Sequence, residues 1–359
     1  GVDYRPSPVT ERPERRFVRV AAWNIQRGTH LVELKRYLHE TPRLRDADVL
    51  LLNEVDWGMA RSNNLHVARE LADHLEMGYL FGNSYLCLDH GDTRDRRVDR
   101  PNAESLHGNA ILSRFPFRRG QNVSVAISKD KFHSSEKRLG HKKALWAELE
   151  TPQGRLVVAA CHLDSIAGPS QRAAQLRDLL AALGRHCDGA ATLIGGDFNT
   201  TTYDVQTIPR LLKNIGAKMV RGAFPDAMHH YLHPQQLYEK PVFDELVAAG
   251  YQWEPFNAMA VGTTRYEVGT YESESKVRDH LPGIFVRILQ WKLKPWKGVA
   301  PLKIDWFAGR GVRPARLEED AGALPPEPIA KPIVDGIELS DHDPIVVDIC
   351  VDGARGMPR

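Results

Sequence analysis

The chain has 359 residues, 42% hydrophobic and 26% charged, which is the balance of a soluble globular protein with room for a large core. Its 48 basic and 46 acidic residues leave a formal charge of +2, so a general polyanion-binding surface is excluded and any phosphate-binding charge must be local. Four cysteines without C-x-x-C spacing exclude a zinc site and read as reduced core residues. The absence of a long apolar run excludes a spanning helix, and no apolar leader is visible, which slightly favours the cytoplasm.

Residues 1–16 are rich in proline and charge and read as a loose arm. "FVRVAAWNI" (17–25) reads as a strand, and "THLVELKRYLHE" (29–40) as a helix with Leu31, Leu34 and Leu38 on one face. "DVLLLNEV" (48–55) is a continuous apolar run, which predicts a strand buried on both faces. A helix follows over 63–77, opened by an Asn cap, then a strand over 78–88 and a charged loop over 90–105. "HGNAILSRFP" begins another strand at 107, and 144–164 reads as a hairpin turning at Pro152-Gln153-Gly154. A Ser-capped helix over 168–186 leads to the strand of "ATLIGGDFNT" (191–200). Over 203–300 the pattern breaks down, with one helix at 240–250, and this stretch reads as a large insertion. "LKIDWFAG" (302–309) and "PIVVDICV" (344–351) are the last clear strands, before a tail at 352–359. Strands that follow one another directly, with helices between, predict two packed sheets flanked by helices within one domain over 17–351.

Polar residues recur where these strands end. Asn24, Glu54, His162, Asp164, Asp197 and Asn199 all lie at strand ends. Asp305 lies inside "LKIDWF", and Asp341 and His342 precede the last strand. Strand ends in a layered fold can converge on one rim. Carboxylates there suit Mg²⁺, which prefers oxygen ligands together with substrate phosphate. Carboxamides position a phosphate without repelling it, and imidazoles donate to it or move protons near neutral pH. Taken singly, each such residue is more often a turn acid or a helix cap.

In this order, "AAWNI", "LLLNEVD", "HGNAILSRFP", "CHLD", "IGGDFN", "KIDWF" and "LSDHDP" resemble the endonuclease/exonuclease/phosphatase superfamily. The resemblance covers about residues 17–200 and 300–351. It implies a four-layered α/β/β/α sandwich, two mixed sheets flanked by helices, and hydrolysis of a phosphoester with Mg²⁺ or Mn²⁺. It also implies Glu54 as the central metal ligand, with Asn24 and Asp341 beside it. Asp197 and Asn199 are expected to orient or activate water, and His342 to pair with Asp305 at the phosphate, with His162 as the second histidine there. Whether Asp197 or His342 takes the proton from water stays open. Arg61 is expected to face the phosphate or to lie exposed, and Asn109 to stand near the site. Asn53 departs from the Gln common in the family, with little expected consequence. Asp164 and Asp343 read as loop acids.

A nuclease-like phosphodiesterase is the leading expectation, acting as a monomer on a phosphoester that is a nucleic acid, a lipid headgroup or a small molecule. The rival class is a non-catalytic scaffold. The spacing of His229 and His233 would suit metal ligands on a helix but lacks a third partner. The runs 129–143 and 287–298 are basic, the second interleaved with Trp291 and Trp296, and could grip a phosphate backbone or simply cover the core.

Overall fold

The computed structural model describes residues 2–8, 15–91, 98–134, 136–202, 224–267, 291, 293–330 and 332–351. Residues 287–290 and 292 of the basic–aromatic run lie outside them, as do long parts of the stretch read as an insertion. The chain opens with strands β1 (Val2–Arg5), β2 (Val18–Arg27), β3 (Val49–Trp57), β4 (Gly78–Cys87) and β5 (Leu106–Ser113). Next come β6 (Phe117–Ser124), β7 (Arg138–Gly140), β8 (Lys143–Thr151), β9 (Gly154–His162) and β10 (Ala191–Asp197). β11 (Thr264–Glu267), β12 (Val299–Leu302), β13 (Asp305–Arg310) and β14 (Val312–Pro314) follow. The last are β15 (Glu327–Pro328), β16 (Ile333–Val334), β17 (Ile337–Glu338) and β18 (Ile345–Val351). The helices are α1 (Leu31–Glu40), α2 (Pro42–Arg45), α3 (Val67–Leu75), α4 (Pro169–His186), α5 (Phe224–Leu232) and α6 (Lys240–Ala248).

Two mixed sheets face each other. The first runs β1-β4-β5-β3-β2-β18-β14, with β7 on β4 and β15 on β18; the second runs β13-β10-β9-β8-β6. Alternation along β2 shows how one sequence serves two layers. Val18, Val20 and Ala22 enter the core between the sheets, while Ala21, Trp23 and Ile25 meet the helices outside. β3 repeats this with Val49 and Leu51 inward and Leu50 and Leu52 outward. Leu34 and Leu38 of α1 and Leu71 of α3 cover the first sheet, and Leu176 and Leu183 of α4 and Phe243 of α6 cover the second. The fold is therefore the expected four-layered sandwich. Truncating a fully buried residue such as Leu51 to Ala would cost about 2–5 kcal/mol. All four cysteines are buried and none forms a disulfide.

Three local readings are corrected. The arm is not loose at its start: β1 pairs antiparallel with β4, and Asp3 accepts from Tyr79 Oη at 2.7 Å. Its half-exposed alternation is too short to register beside Pro6. Helix α3 begins at Val67 rather than 63, because Asn63 and Asn64 are left-handed turn residues, and His66 Nδ1 caps by accepting from Arg69 N at 3.3 Å. Helix α4 is entered at Gly168, not capped by Ser170. The Gln171 side chain reaches back to accept from Gly168 N at 3.2 Å.

Candidate active site

Strand register brings the polar strand ends side by side. In the second sheet Asp197 pairs laterally with His162 on β9 and with Asp305 on β13. In the first sheet Asn24 pairs with Asn53. Both β2 and β3 then break register, between Asn24 and Arg27 and between Leu52 and Val55. Such bulges re-aim a side chain out of the alternation. Gln26, Arg27, Glu54 and Asn199 adopt positive φ, a strained conformation for non-glycine residues that concentrates at working sites. The sheets also come close. A Cβ on Gly196 (φ +135°) would lie 2.2 Å from Cys161 O and 2.6 Å from Asn53 Oδ1, so only glycine fits before Asp197.

Asp197 is the hub. Its Oδ2 accepts from Asn24 Nδ2 at 3.2 Å and Asn199 Nδ2 at 3.0 Å, and its Oδ1 accepts from Asn199 N at 2.9 Å. His162 Nε2 lies 3.4 Å from Oδ2, and His342 Nε2 lies 3.8 Å from it. Both oxygens of Asp305 hold His342 Nδ1, at 3.0 and 3.1 Å, leaving Nε2 toward Asp197. The His342 segment is pinned in turn. Trp23 Nε1 donates to His342 O at 2.8 Å and Ser340 Oγ donates to Asn24 O at 2.6 Å. Asp341 N donates to Gln26 Oε1 at 3.3 Å. Asp197, Asp305 and His342 offer ligand atoms that all lie within 4.8 Å of one another.

Glu54 differs from these residues. Its side chain is 27% exposed and reaches to 4.0 Å from His162 Nε2. Lost solvation would raise its carboxyl, yet His162, His107, Arg27 and Lys142 hold it well below the usual range. Burial, reinforced by Lys142, keeps His162 well below the usual histidine value, so its ring is neutral. His342 is raised well above that value despite burial, because Asp305, Asp197 and Asp341 surround it. Burial also raises Asp197, opposed by His342 and aided by Asp305. Together the rim holds an ionised carboxylate, a neutral imidazole and a carboxylate–imidazole–carboxylate chain.

The structure thus gathers Asn24, Glu54, His162, Asp197, Asn199, Asp305, Asp341 and His342 at one edge. Asn109 and Arg61 stand behind it with other partners. Asn109 accepts from Asn53 Nδ2 at 3.0 Å and donates to Lys143 O at 2.7 Å. Arg61, far from exposed, donates to Asp56 at 2.6 and 2.9 Å and to Glu136 at 3.0 Å, with its side chain 1% exposed. Asp343 faces Arg265, and Asp164 faces Ser128 and Lys131, in keeping with loop acids. His229 and His233 stack at 4.5 Å.

Sequence reasoning missed four contributors. Asn53 is fully buried, and its Oδ1 accepts from Asp197 N at 3.0 Å, tying the two sheets together at the hub. Its place beside Glu54 was visible, but its reach to the other sheet was not. Thr263 Oγ1 donates to Asp305 Oδ2 at 2.7 Å, and Thr264 Oγ1 donates to Asp341 O at 2.6 Å, so part of the stretch read as insertion clamps the site. Lys142 Nζ lies 2.5 Å from His162 Nε2, and nothing in "GHKKALW" distinguishes it from Lys143.

A family model described as "Endonuclease/Exonuclease/phosphatase family" matches residues 21–258. The chain belongs to this family. Family members are hydrolases acting on phosphoesters. The family match ends ahead of Asp305, Asp341 and His342, which fold onto the same rim as its earlier residues. It also runs into the stretch read as an insertion. Among solved structures, an endonuclease/exonuclease/phosphatase from Bacteroides vulgatus has a TM-score of 0.53 at 13% identity, covering 94% of this chain and 99% of that one. One from Beutenbergia cavernae has a TM-score of 0.51 at 18% identity, covering 95% and 73%. The human Nocturnin catalytic domain with bound sulfate has a TM-score of 0.50 at 15% identity, covering 98% and 97%. At these identities the likeness shows the shared fold of the family. No curated protein sequence matches the chain. No helix among the described residues is long and apolar enough to cross a membrane.

Proposed function

We propose that this rim hydrolyses a phosphodiester with the help of a divalent cation, Mg²⁺ or Mn²⁺. The observation that carries the reading is the meeting of both sheets' strand ends at Asp197, through Asn24 and Asn53 on one side and His162 and Asp305 on the other. The donor set fits a hard cation. Glu54 is held ionised and partly exposed, and its oxygens accept no hydrogen bond from any described residue. Glu54, with Asn24 and Asp341, would hold the ion, and the ion would supply Lewis-acid charge stabilisation at the phosphate when bound.

The chain's own groups do the rest. Asn24 and Asn199 fix the Asp197 carboxylate through three hydrogen bonds, so it does not turn away from the reacting centre. Asp305 fixes the ring of His342 so that Nε2 faces Asp197. An attacking water between these groups would lose its proton to the Asp197–His342 pair, with His162, and the Lys142 ammonium seated against it, on the phosphate side. The test is a panel of bis-p-nitrophenyl phosphate, p-nitrophenyl phosphate, single-stranded DNA and duplex DNA with Mn²⁺. Turnover of a diester by the wild type and its loss in His342→Ala is the expected result; equal inertness across the panel would end the enzyme reading.

A lipid-headgroup diester is the second reading. Leu86 and Leu139 are cross-strand partners on an edge, and with Leu88 they are 39–46% exposed beside the exposed Lys129 and Lys137. Turnover confined to anionic vesicles would favour it.

A further inference from the structure

Asn109 and the end of the basic run 129–143 meet in the fold, and their contacts close a ring behind the rim. Asn53 Oδ1 accepts from Asp197 N at 3.0 Å, and Asn53 Nδ2 donates to Asn109 Oδ1 at 3.0 Å. Asn109 Nδ2 in turn donates to Lys143 O at 2.7 Å, which fixes the main chain where β8 begins. The preceding residue, Lys142, has its Nζ 2.5 Å from His162 Nε2. His162 is the strand partner of Asp197, and the same Nε2 stands 3.4 Å from Asp197 Oδ2 and 4.0 Å from Glu54 Oε1. Asn53, Asn109 and His162 are all buried. The ring of contacts returns to the hub, so Lys142 is placed by the same residues that place Asp197.

The chemistry of the Lys142–His162 contact fixes where its protons lie. A lysine ammonium has three donors and no acceptor, and a neutral imidazole has one of each. Burial, with Lys142 beside it, holds His162 well below the ordinary histidine value, so the ring accepts at Nε2 and carries its proton on Nδ1. Burial lowers Lys142 as well, to about 8, while Glu54, Asp164 and Asp197 oppose the fall, so the ammonium is charged at neutral pH. His162 Nε2 then has no hydrogen to offer a phosphate. Lys142, one hydrogen bond further out, has two beyond the one it gives to the ring.

We propose that Lys142 is a further catalytic residue, whose ammonium donates a hydrogen bond to a non-bridging oxygen of the phosphate being cleaved, and that His162 is the positioning residue that holds it there. The inference rests on the reading of the rim as a phosphodiesterase site. The ammonium keeps its proton throughout. It offsets the negative charge on the phosphoryl oxygens as water attacks, and acts as a point charge rather than a fork.

The test measures kcat and KM for bis-p-nitrophenyl phosphate in Mn²⁺. Lys142→Met should lower kcat about 100-fold, and Lys142→Arg should regain about 10-fold of that loss. Lys142→Gln, which keeps a neutral donor, reads the same loss of charge if the methionine variant does not fold. Substitution of an exposed lysine of the same run, Lys137→Ala, should match the wild type. In the Lys142→Met background, His162→Leu should cost less than about 3-fold more, because a positioning residue then has nothing left to position. Losses that multiply would return the phosphate donor to His162 and overturn the assignment. So would wild-type kcat in Lys142→Met, a result that leaves the phosphodiesterase reading intact. Thermal stabilisation by orthophosphate in Mg²⁺ gives a readout independent of turnover. The wild type should gain stability from it, and Lys142→Met should lose most of that gain. If no diester turns over but this difference holds, the phosphodiesterase reading fails and the Lys142 contact with phosphate stands; if the difference is also absent, both fail.

Discussion

Two clusters of buried charge lie within a few residues of each other along β3, and they are built in opposite ways. Asp56, one strand position past Val55, sits among Arg61, His107, Ser62 and Glu136. Both its oxygens are taken, and Arg61 bridges to Glu136 with three hydrogen bonds in all. Glu54, two positions earlier, accepts no hydrogen bond from a described residue, and its charge is met at longer range by His162, His107, Arg27 and Lys142. The first cluster closes on itself through hydrogen bonds; in the second the Glu54 oxygens accept none among the described residues. Compensation, rather than burial or charge, separates a structural network from a working one.

The largest effect that tests this contrast is on turnover. Asp197→Asn should lower kcat by about 100- to 1000-fold, since a well-placed electrostatic group typically contributes that much. It should leave thermal stability unchanged or raise it, because a crowded, desolvated carboxylate is removed. A large loss of stability with activity intact would break the contrast from this side.

Arg61→Ala should do the reverse. Removing one partner from a buried, satisfied network leaves Asp56 without its guanidinium partner and Glu136 with Arg138 alone, and costs about 3–5 kcal/mol, read by denaturant unfolding. The folded fraction should keep most of its kcat, and a selective loss of kcat would assign Arg61 to the working cluster.

Asn53→Ala lies between the two. It removes the acceptor for Asp197 N, which should cost about 1–3 kcal/mol and lower kcat about 10-fold through misplacement of Asp197, with KM little changed.

The smallest effect is in acid. Burial would raise Glu136, but Arg138 and Arg61 depress it to about 2 from an ordinary 4.5. A depressed carboxyl contributes stability that is present above its unfolded value and lost as pH falls through the folded one. The wild type should therefore lose stability between about pH 4.5 and 2, and Glu136→Gln should show a shallower slope in that window by chemical unfolding.

Much of the fold was legible because continuous apolar runs such as Val49–Leu52 are intolerant of any other environment than a strand covered on both faces. The rim was legible because Asn24, Glu54, Asp197 and His342 lie at the ends of such runs, where register leaves little choice of location. What escaped depended on contacts across the sheets or on a side chain's second neighbour. Asn53 reaches Asp197 from 144 positions away, and Thr263 reaches Asp305 across 42. Arg61 read as a phosphate contact or a surface residue, since no periodicity reveals that Glu136 folds over it. Lys142 and Lys143 are indistinguishable in sequence, and only the fold decides that Lys142, just ahead of β8, meets His162.

The central claim is that the rim around Glu54 and Asp197 is a metal-dependent phosphodiester-hydrolysing site. The most direct measurement is release of p-nitrophenolate from bis-p-nitrophenyl phosphate by the wild type, Glu54→Gln and Asp197→Asn, in Mn²⁺, in EDTA, and after Mn²⁺ is restored. The account predicts turnover by the wild type in Mn²⁺, abolished by EDTA and recovered on restoration, with both variants reduced at least about 100-fold. Turnover that persists in EDTA, or that survives in both variants at the wild-type rate, would contradict it.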